Sequence, residues 1–423
     1  MSVSLLQDHK FLDSTDIVQR ALNHLEPKQV DTMLKKKEVR TLLGALVSLH
    51  GAIGAMPLVN PEATIEGIFS HTLSPHNAID ARPQTAMAAD LWWVGVLVAG
   101  VVVGVSVVSF VVNKLLAPGF KVDGKHVFIT GGSSGLGLAL AKKYAQQGAK
   151  VSIVARGLDK LEAAKAEIEG VRKNADAGVF IESTDVADFD SVQKAVDAAN
   201  KFHGRVTDHV VCSAGYAAPG YFLEQDVSLY KKIMDVNYFG TLHTIKAALP
   251  AMVQRSEEGG EGGQIVLVSS GLGLISWIGY AQYAAPKYAL RGLAESLRNE
   301  LKLFGIRVSI FYPGNIDSPG YVEENRTKPE ETKTIEGVSE PLHPDKVAQS
   351  LINGVSDGQF SITNDPMIFI LRVLANGVAP RYNTMLETVM LPLLILIQVG
   401  FGFFMDFIVW QTKRAREKKS KDQ

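Results

Sequence analysis

The stretch His126-Val127-Phe128-Ile129-Thr130-Gly131-Gly132-Ser133-Ser134-Gly135-Leu136-Gly137, followed by a helical run over residues 138–147, decides the fold. An apolar run that ends in a glycine-rich turn and restarts as a helix reads as a strand-turn-helix unit. Glycines permit the tight turn and let backbone N–H groups come close to a ligand. At the start of the next helix, those N–H groups and the helix dipole favour a negative group, a pyrophosphate in particular. Three glycines alone are a weak signal; the strand before and the helix after give them a dinucleotide-binding context. Gly131, Ser133, Ser134, Gly135 and Gly137 are the candidate contacts.

Downstream, short apolar runs at 150–155, 179–183, 209–213, 265–269 and 308–312 alternate with longer helical stretches. Apolar strands separated by helices imply a parallel sheet covered on both faces, so the expected class is α/β, a Rossmann-type doubly wound sheet. After the second strand, where an NAD site carries a carboxylate for the ribose hydroxyls, the chain has Ala155-Arg156. A guanidinium holds a 2′-phosphate that a carboxylate would repel, which favours NADPH and makes Arg156, with Lys160 beyond it, a cofactor candidate. Asp185-Val186, after the third strand, reads as a helix N-cap, an adenine contact, or both.

Chemistry is carried by Ser270, Tyr283 and Lys287. Tyr283 and Lys287 are four apart on an expected helix and share one face. A phenol of pKa near 10 is a poor acid-base catalyst at neutral pH, and an adjacent ammonium is expected to lower it. Tyr283 would then pass a proton to a ketone oxygen as hydride reaches the carbon, with Ser270 hydrogen-bonding the developing oxyanion. Tyr-x-x-x-Lys is common by chance; its place after a strand ending in Ser269-Ser270 is what counts.

With these elements in order, the sequence resembles the short-chain dehydrogenase/reductase family. That resemblance implies a water-linked relay in which Asn237 helps hold Lys287, a ribose contact from Tyr283 and Lys287, and a turn beside the nicotinamide at Pro313-Gly314. It also places Ala214 and Gly215 at the cofactor. Ser213 stands where the family usually has asparagine, which is expected to weaken the support at strand four. Residues 319–332 resemble the substrate loop of the family's 3-ketodihydrosphingosine reductases, and the similarity runs from about Gly124 into the C-terminal apolar zone. By resemblance the activity is NADPH-dependent reduction of a long-chain sphingoid ketone at the cytosolic face of the endoplasmic reticulum, and a homodimer is consistent with the family. Glu323 and Glu324 read as a solvated loop face, with attraction of the substrate's ammonium as the other reading. Reduction of a 3-ketoacyl thioester or a steroid, or a catalytically silent scaffold, remains open at this point.

With 43 Lys+Arg against 44 Asp+Glu, nothing suggests a nucleic-acid surface. Cys212, the single cysteine, has no partner for an internal disulfide and reads as a core residue. His203, His209 and His243 show no ligand spacing and read as structural, so no metal is expected. Residues 91–112 carry no charge and begin Leu91-Trp92-Trp93, the pattern of a transmembrane helix. Lys114, Lys121 and Lys125 follow it, which puts the downstream domain in the cytosol. Residues 1–90 are an extension of unknown role, with a basic cluster at 35–37 and a mildly apolar run at 42–59. The reductase domain is expected over 121–365 and a membrane-associated apolar region over 366–411, before a basic tail at 412–423. Pro392, Gly400, Gly402 and Asp406 interrupt the last apolar zone, so a re-entrant or in-plane pair of short helices is expected there in contact with membrane lipid.

Overall fold

The computed structural model describes residues 100–421 apart from 102, 116, 118, 175–176 and 338–339. The extension 1–90 and the start of the apolar run at 91–112 lie outside the described residues. Seven strands form one sheet in the order β3-β2-β1-β4-β5-β6-β7, every neighbouring pair parallel. They are β1 (His126–Thr130), β2 (Lys150–Ala155), β3 (Phe180–Ser183), β4 (His209–Cys212), β5 (Gln264–Val268), β6 (Arg307–Tyr312) and β7 (Ser361–Thr363). β1, β4 and β5 are buried at every residue, because helices cover both faces and neither side of a strand has to be polar. β7 was not legible beforehand, since three residues reading Ser-Ile-Thr carry no hydrophobic period.

The helices are α1 (Val103–Leu115), α2 (Gly135–Gln146), α3 (Leu158–Val171), α4 (Phe189–His203), α5 (Val227–Met234), α6 (Gly240–Glu257), α7 (Ala281–Glu300), α8 (Pro319–Thr327), α9 (Glu330–Glu336), α10 (Pro344–Ser356), α11 (Pro366–Ala375) and α12 (Thr384–Lys421). Leu140 and Tyr144 of α2, Leu161 and Ile168 of α3 and Leu351 of α10 fill the core on one face of the sheet. Val192 of α4, Ile245 and Met252 of α6 and Leu290 of α7 fill it on the other. Strand order reverses between β1 and β4, and the crevice beyond the carboxyl ends of those strands is where an open α/β sheet binds ligands.

The pair of short C-terminal helices is corrected: α12 is one helix of 38 residues running through Pro392, Gly400 and Gly402. Proline removes one hydrogen bond, but the surrounding Leu, Ile, Met and Phe are adequate helix formers, and a single loss does not end a helix that long. Almost none of its apolar stretch is buried, and Leu393, Leu396 and Phe403 stand open. It is long and apolar enough to cross a bilayer. α11 ties it to the domain through Arg372, whose two guanidinium nitrogens donate to Glu387 at 2.8 and 3.3 Å with both residues buried. α1 meets the same junction, where the Asn383 amide donates to the Ser106 carbonyl at 2.9 Å and Phe110 packs edge-on against Tyr382.

Candidate active site

The turn after β1 is shaped by glycine where no other residue fits. Gly131 has φ +70°, and a Cβ there would lie 2.9 Å from the Ala214 Cα, so the turn packs directly against the end of β4. At Gly137 a Cβ would lie 2.3 Å from the Gly131 carbonyl oxygen. Ser134 precedes α2 in extended conformation without a side-chain cap, so the first N–H groups of α2 are left for a ligand. A pyrophosphate fits this cradle: it supplies the acceptors that the helix start lacks, and the dipole favours its charge.

Support at strand four comes from a residue outside the expected set. Thr130 Oγ1 accepts from the backbone N–H groups of Ser213 (3.1 Å) and Ala214 (3.2 Å), so β1 and β4 are clamped through the backbone whatever side chain stands at 213. Thr130 closes the first strand directly before the glycines, and that position was the available signal. Arg156 lies exposed beyond β2, its carbonyl accepting from the Ser183 hydroxyl at 2.9 Å, and Lys160 is exposed in the first turn of α3. The N-cap reading of Asp185 is corrected: α4 is capped by Asp188, which accepts from Asp190 N, while Asp185 accepts from Ala187 N at 3.0 Å in a turn of its own. The chain has to turn once more after β3 before the helix starts, which moves the cap three residues on. Behind Pro313-Gly314, the Asn364 side chain accepts from Gly314 N at 3.2 Å, and Pro313 O accepts from Gly271 N at 3.0 Å.

Ser270, Tyr283, Lys287 and Asn237 converge at the carboxyl edge. Ser270, just past β5, accepts from Leu272 N at 3.2 Å and starts a short 3₁₀ turn. The preceding serine, Ser269, donates to the Lys287 carbonyl at 3.0 Å and fixes α7 against β5. Lys287 is buried; its ammonium donates to the Val268 carbonyl at 3.0 Å and lies 5.4 Å from the Tyr283 ring centre. Asn237 sits in a one-turn π-helix, Asp235–Phe239, between α5 and α6, the kind of local widening that aims a side chain inward. Its amide donates to Ile233 O and Tyr216 O, both at 3.0 Å, while Oδ1 is buried with no partner among the described residues. That oxygen points at Gly215, where a Cβ would lie 2.5 Å from it and 3.5 Å from the Lys287 ammonium. Glycine at 215 therefore keeps open the space between an unfilled acceptor and a buried donor, room suited to the relay water implied by the resemblance.

The electrostatics reverse one expectation. Desolvation pushes Tyr283 well above the usual phenol range, the negative Glu324 adds to the rise, and the hydrogen bond with Ser270 only partly opposes it. Burial also brings Lys287 down to about 7. Lys287 is already neutral in the range where a phenol ionises, so the anticipated lowering of Tyr283 by a neighbouring ammonium is absent. Tyr283 is thus held as a neutral phenol, loaded with a proton.

The two glutamates of α8 part company. Glu323 pairs with Arg326 on the surface, but Glu324 turns inward, accepting from the Tyr280 hydroxyl and pairing with Lys328 at 3.3 Å. Buried Lys328 also pairs with Glu336 at 2.7 Å, so one ammonium serves two carboxylates. The Tyr280 and Tyr283 ring centres are 6.2 Å apart, which brings this network beside Tyr283. Nothing in the local sequence separates Glu323 from Glu324 until α8 fixes which side faces in.

Each of the three scattered histidines has structural partners. His203 Nε2 is 3.1 Å from the Ser152 hydroxyl, His209 bridges the Tyr144 hydroxyl (2.8 Å) and the Gln264 carbonyl (3.2 Å), and His243 Nδ1 is 2.9 Å from Val186 O. Among the described residues no cluster of three or more potential metal ligands occurs. Cys212 is buried in the core.

Comparison with known proteins bears on the family and the fold. The family model for short chain dehydrogenases matches residues 125–329. A 3-ketodihydrosphingosine reductase from Dictyostelium discoideum is 38% identical over 292 residues, which cover 66% of this chain and 86% of that protein. A 3-dehydrosphinganine reductase from Danio rerio is 37% identical over 286 residues, 67% of this chain and 84% of that protein. Among solved structures, a short chain dehydrogenase/reductase from Burkholderia phymatum in complex with NAD superposes with a TM-score of 0.52 and 25% identity, covering 61% of this chain and 95% of that one. A nicotinamide cofactor follows from the family and from the cradle, and the chain belongs to the short-chain dehydrogenase/reductase family, with similarity inside it to the 3-ketodihydrosphingosine reductases.

Proposed function

We propose that the chain reduces 3-ketodihydrosphingosine to dihydrosphingosine with NADPH, on the cytosolic face of the endoplasmic reticulum membrane. The observation that carries this reading is the convergence of Ser270, Tyr283 and Lys287 beside the glycine turn, in a chain whose relatives bear that enzyme's name. When bound, the reduced nicotinamide supplies the hydride delivered to the ketone carbon. Tyr283, kept protonated by burial, gives its proton to the carbonyl oxygen as negative charge develops there. Ser270 orients that oxygen and stabilises its charge with a hydrogen bond. Lys287, which exchanges a proton near neutral pH, and the unfilled Oδ1 of Asn237 form the inner end of a path that reloads Tyr283.

Arg156 supports the choice of NADPH: it is exposed directly after β2, where it is free to meet a 2′-phosphate. The inward Glu324 is suited to the ammonium that the sphingoid ketone carries next to its carbonyl. Membrane attachment is supported by the open apolar flanks of α1 and α12. In this reading the reductase domain covers 121–365 and the C-terminal region beyond it is membrane-held through α12, while α11 packs on the domain core; a homodimer is proposed by family analogy.

The test is oxidation of NADPH by detergent-solubilised full-length protein with 3-ketodihydrosphingosine, a 3-ketoacyl thioester and a ketosteroid side by side, with NADH and Arg156→Ala as controls. Turnover of the sphingoid ketone above both rivals, with the NADPH preference reduced about ten- to a hundredfold in Arg156→Ala, is expected from the loss of a charge-assisted hydrogen bond of about 1.5–3 kcal/mol. Preference for either rival ketone would remove the sphingoid assignment. Orientation is checked at Asn325-Arg326-Thr327, a glycosylation acceptor that a cytosolic domain never exposes to the lumen.

A further inference from the structure

A cavity of about 370 Å³ lies at the amino edge of the sheet, the end opposite Tyr283. It is bounded by the first residues of β5, β6 and β7, by the end of α7, by Asn113 and Ala117 at the end of α1, and by Pro380–Tyr382 leading into α12. Four cationic side chains line it, Arg298, Lys302, Arg307 and Arg381, against the single carboxylate Asp357. Asp357 is already taken by Lys114 at 2.6 Å, and Arg381 by Glu387 at 3.3 Å. Arg298 is stacked over Phe360 and donates to Asn299; Arg307 is stacked over Phe120 and donates to the Gly119 carbonyl at 3.3 Å. Among the described residues neither arginine, nor Lys302, has a carboxylate partner.

Two residues at this space, Arg307 and Tyr382, each hold a buried polar atom that lacks any hydrogen bond among the described residues, Nη1 and the phenol hydroxyl. A buried cationic donor without an acceptor is unfavourable, and desolvation correspondingly pulls Arg307 below the usual guanidinium range. An anion with several acceptor oxygens would offset the excess positive charge and give the lining cations the partner that no carboxylate supplies.

The surroundings name the kind of anion. Part of the wall, Asn113, Ala117 and Pro380–Tyr382, adjoins the two helices that carry apolar side chains into the open, with Val107 and Phe110 exposed on α1 and Leu393 and Leu396 exposed on α12. We propose that this cavity binds the phosphate-bearing headgroup of an anionic phospholipid whose acyl chains lie along α1 and α12. The site is separate from the catalytic crevice and rests only on the membrane half of the functional reading. Its occupant would fasten the domain to the bilayer at the junction of both apolar helices.

The experiment uses full-length protein in detergent, with the thermal unfolding midpoint and the apparent dissociation constant as readouts rather than turnover. The probes are dioctanoyl phosphatidylserine, dioctanoyl phosphatidylcholine and inorganic phosphate. Phosphatidylserine is expected to raise the midpoint in a saturable way, as a ligand of the folded state must, and to bind at least about tenfold more tightly than either other probe. Lys302→Glu, an exposed change that leaves the stacked arginines alone, is expected to weaken phosphatidylserine binding about tenfold, and Arg307→Gln further. Equal midpoint shifts in wild type and Lys302→Glu, or no shift with phosphatidylserine, would overturn the site. Inorganic phosphate binding as well as phosphatidylserine would overturn the lipid as its occupant. Because no ketone enters the assay, failure here is distinguishable from failure of the reductase assignment.

Discussion

The Lys287 ammonium lies 5.4 Å from the centre of the Tyr283 ring and spends one hydrogen bond, at 3.0 Å, on the carbonyl of Val268. It is therefore anchored to the end of β5 and set beside the phenol rather than directed at its oxygen. The pair is held in a low-dielectric pocket where neither charged form is favoured, which suits a proton donor and the group that reloads it.

Burial of Lys287 has a consequence for stability that runs with pH. Its pKa is about 7 in the folded chain against 10.5 for the free side chain, so between those values the unfolded state binds more protons. Stability from this group accordingly rises as pH increases from about 7 to about 10.5, with a limiting slope of about 1.4 kcal/mol per pH unit. Lys287→Met should lose that slope. Urea unfolding of both proteins at pH 7.5 and 9.5 checks it: wild type should gain on the variant at the higher pH, and a constant gap would contradict the buried neutral amine.

Tyr283→Phe removes the hydroxyl proposed as proton donor and little else. Turnover should fall about 10²- to 10⁴-fold, the usual weight of a positioned acid, while NADPH binding followed by fluorescence stays within about twofold. The unfolding midpoint should not drop, because the lost hydroxyl is itself desolvated.

Gly215→Ala would put a methyl 2.5 Å from Asn237 Oδ1, in the space facing Lys287. Asn237 is pinned by two hydrogen bonds and by the π-turn, so it cannot yield cheaply. A destabilisation of about 1–3 kcal/mol is expected, as for other overpacked sites, together with a lower kcat. Denaturant melts and steady-state kinetics read the two effects separately.

Glu324→Gln keeps the shape of the side chain and removes its charge. If Glu324 meets the substrate ammonium, kcat/KM for 3-ketodihydrosphingosine should fall about tenfold or more, while a matched 3-ketone lacking the amine is spared, since one charge-assisted contact is worth about 1.5–3 kcal/mol. Equal losses on both ketones would assign Glu324 to the ion network with Lys328 alone.

Much of this was legible in the chain because it depends on local order. Alternation of apolar runs with helical stretches specifies a parallel sheet wherever both faces are covered, and six of the seven strands lay within one residue of their expected limits at either end. The glycine turn, the four-residue spacing of Tyr283 and Lys287 and the arginine after β2 are likewise statements about neighbours along the backbone. β7 escaped because its strand character comes from pairing with β6 rather than from its own three residues.

The sequence by itself determined the fold class, the glycine cradle and the candidates for proton transfer, since each follows from spacing within one or two elements. Tertiary structure alone decided the state of those groups. Desolvation of Lys287, the empty acceptor of Asn237 against Gly215, the clamp from Thr130, the inward turn of Glu324 and the cationic cavity at the amino edge all arise between residues distant in the chain. So does the continuity of α12, where the breakers Pro392, Gly400 and Gly402 suggested a division that the helix as a whole does not make. Burial and electrostatic coupling act through space, and only the folded chain fixes which groups share it.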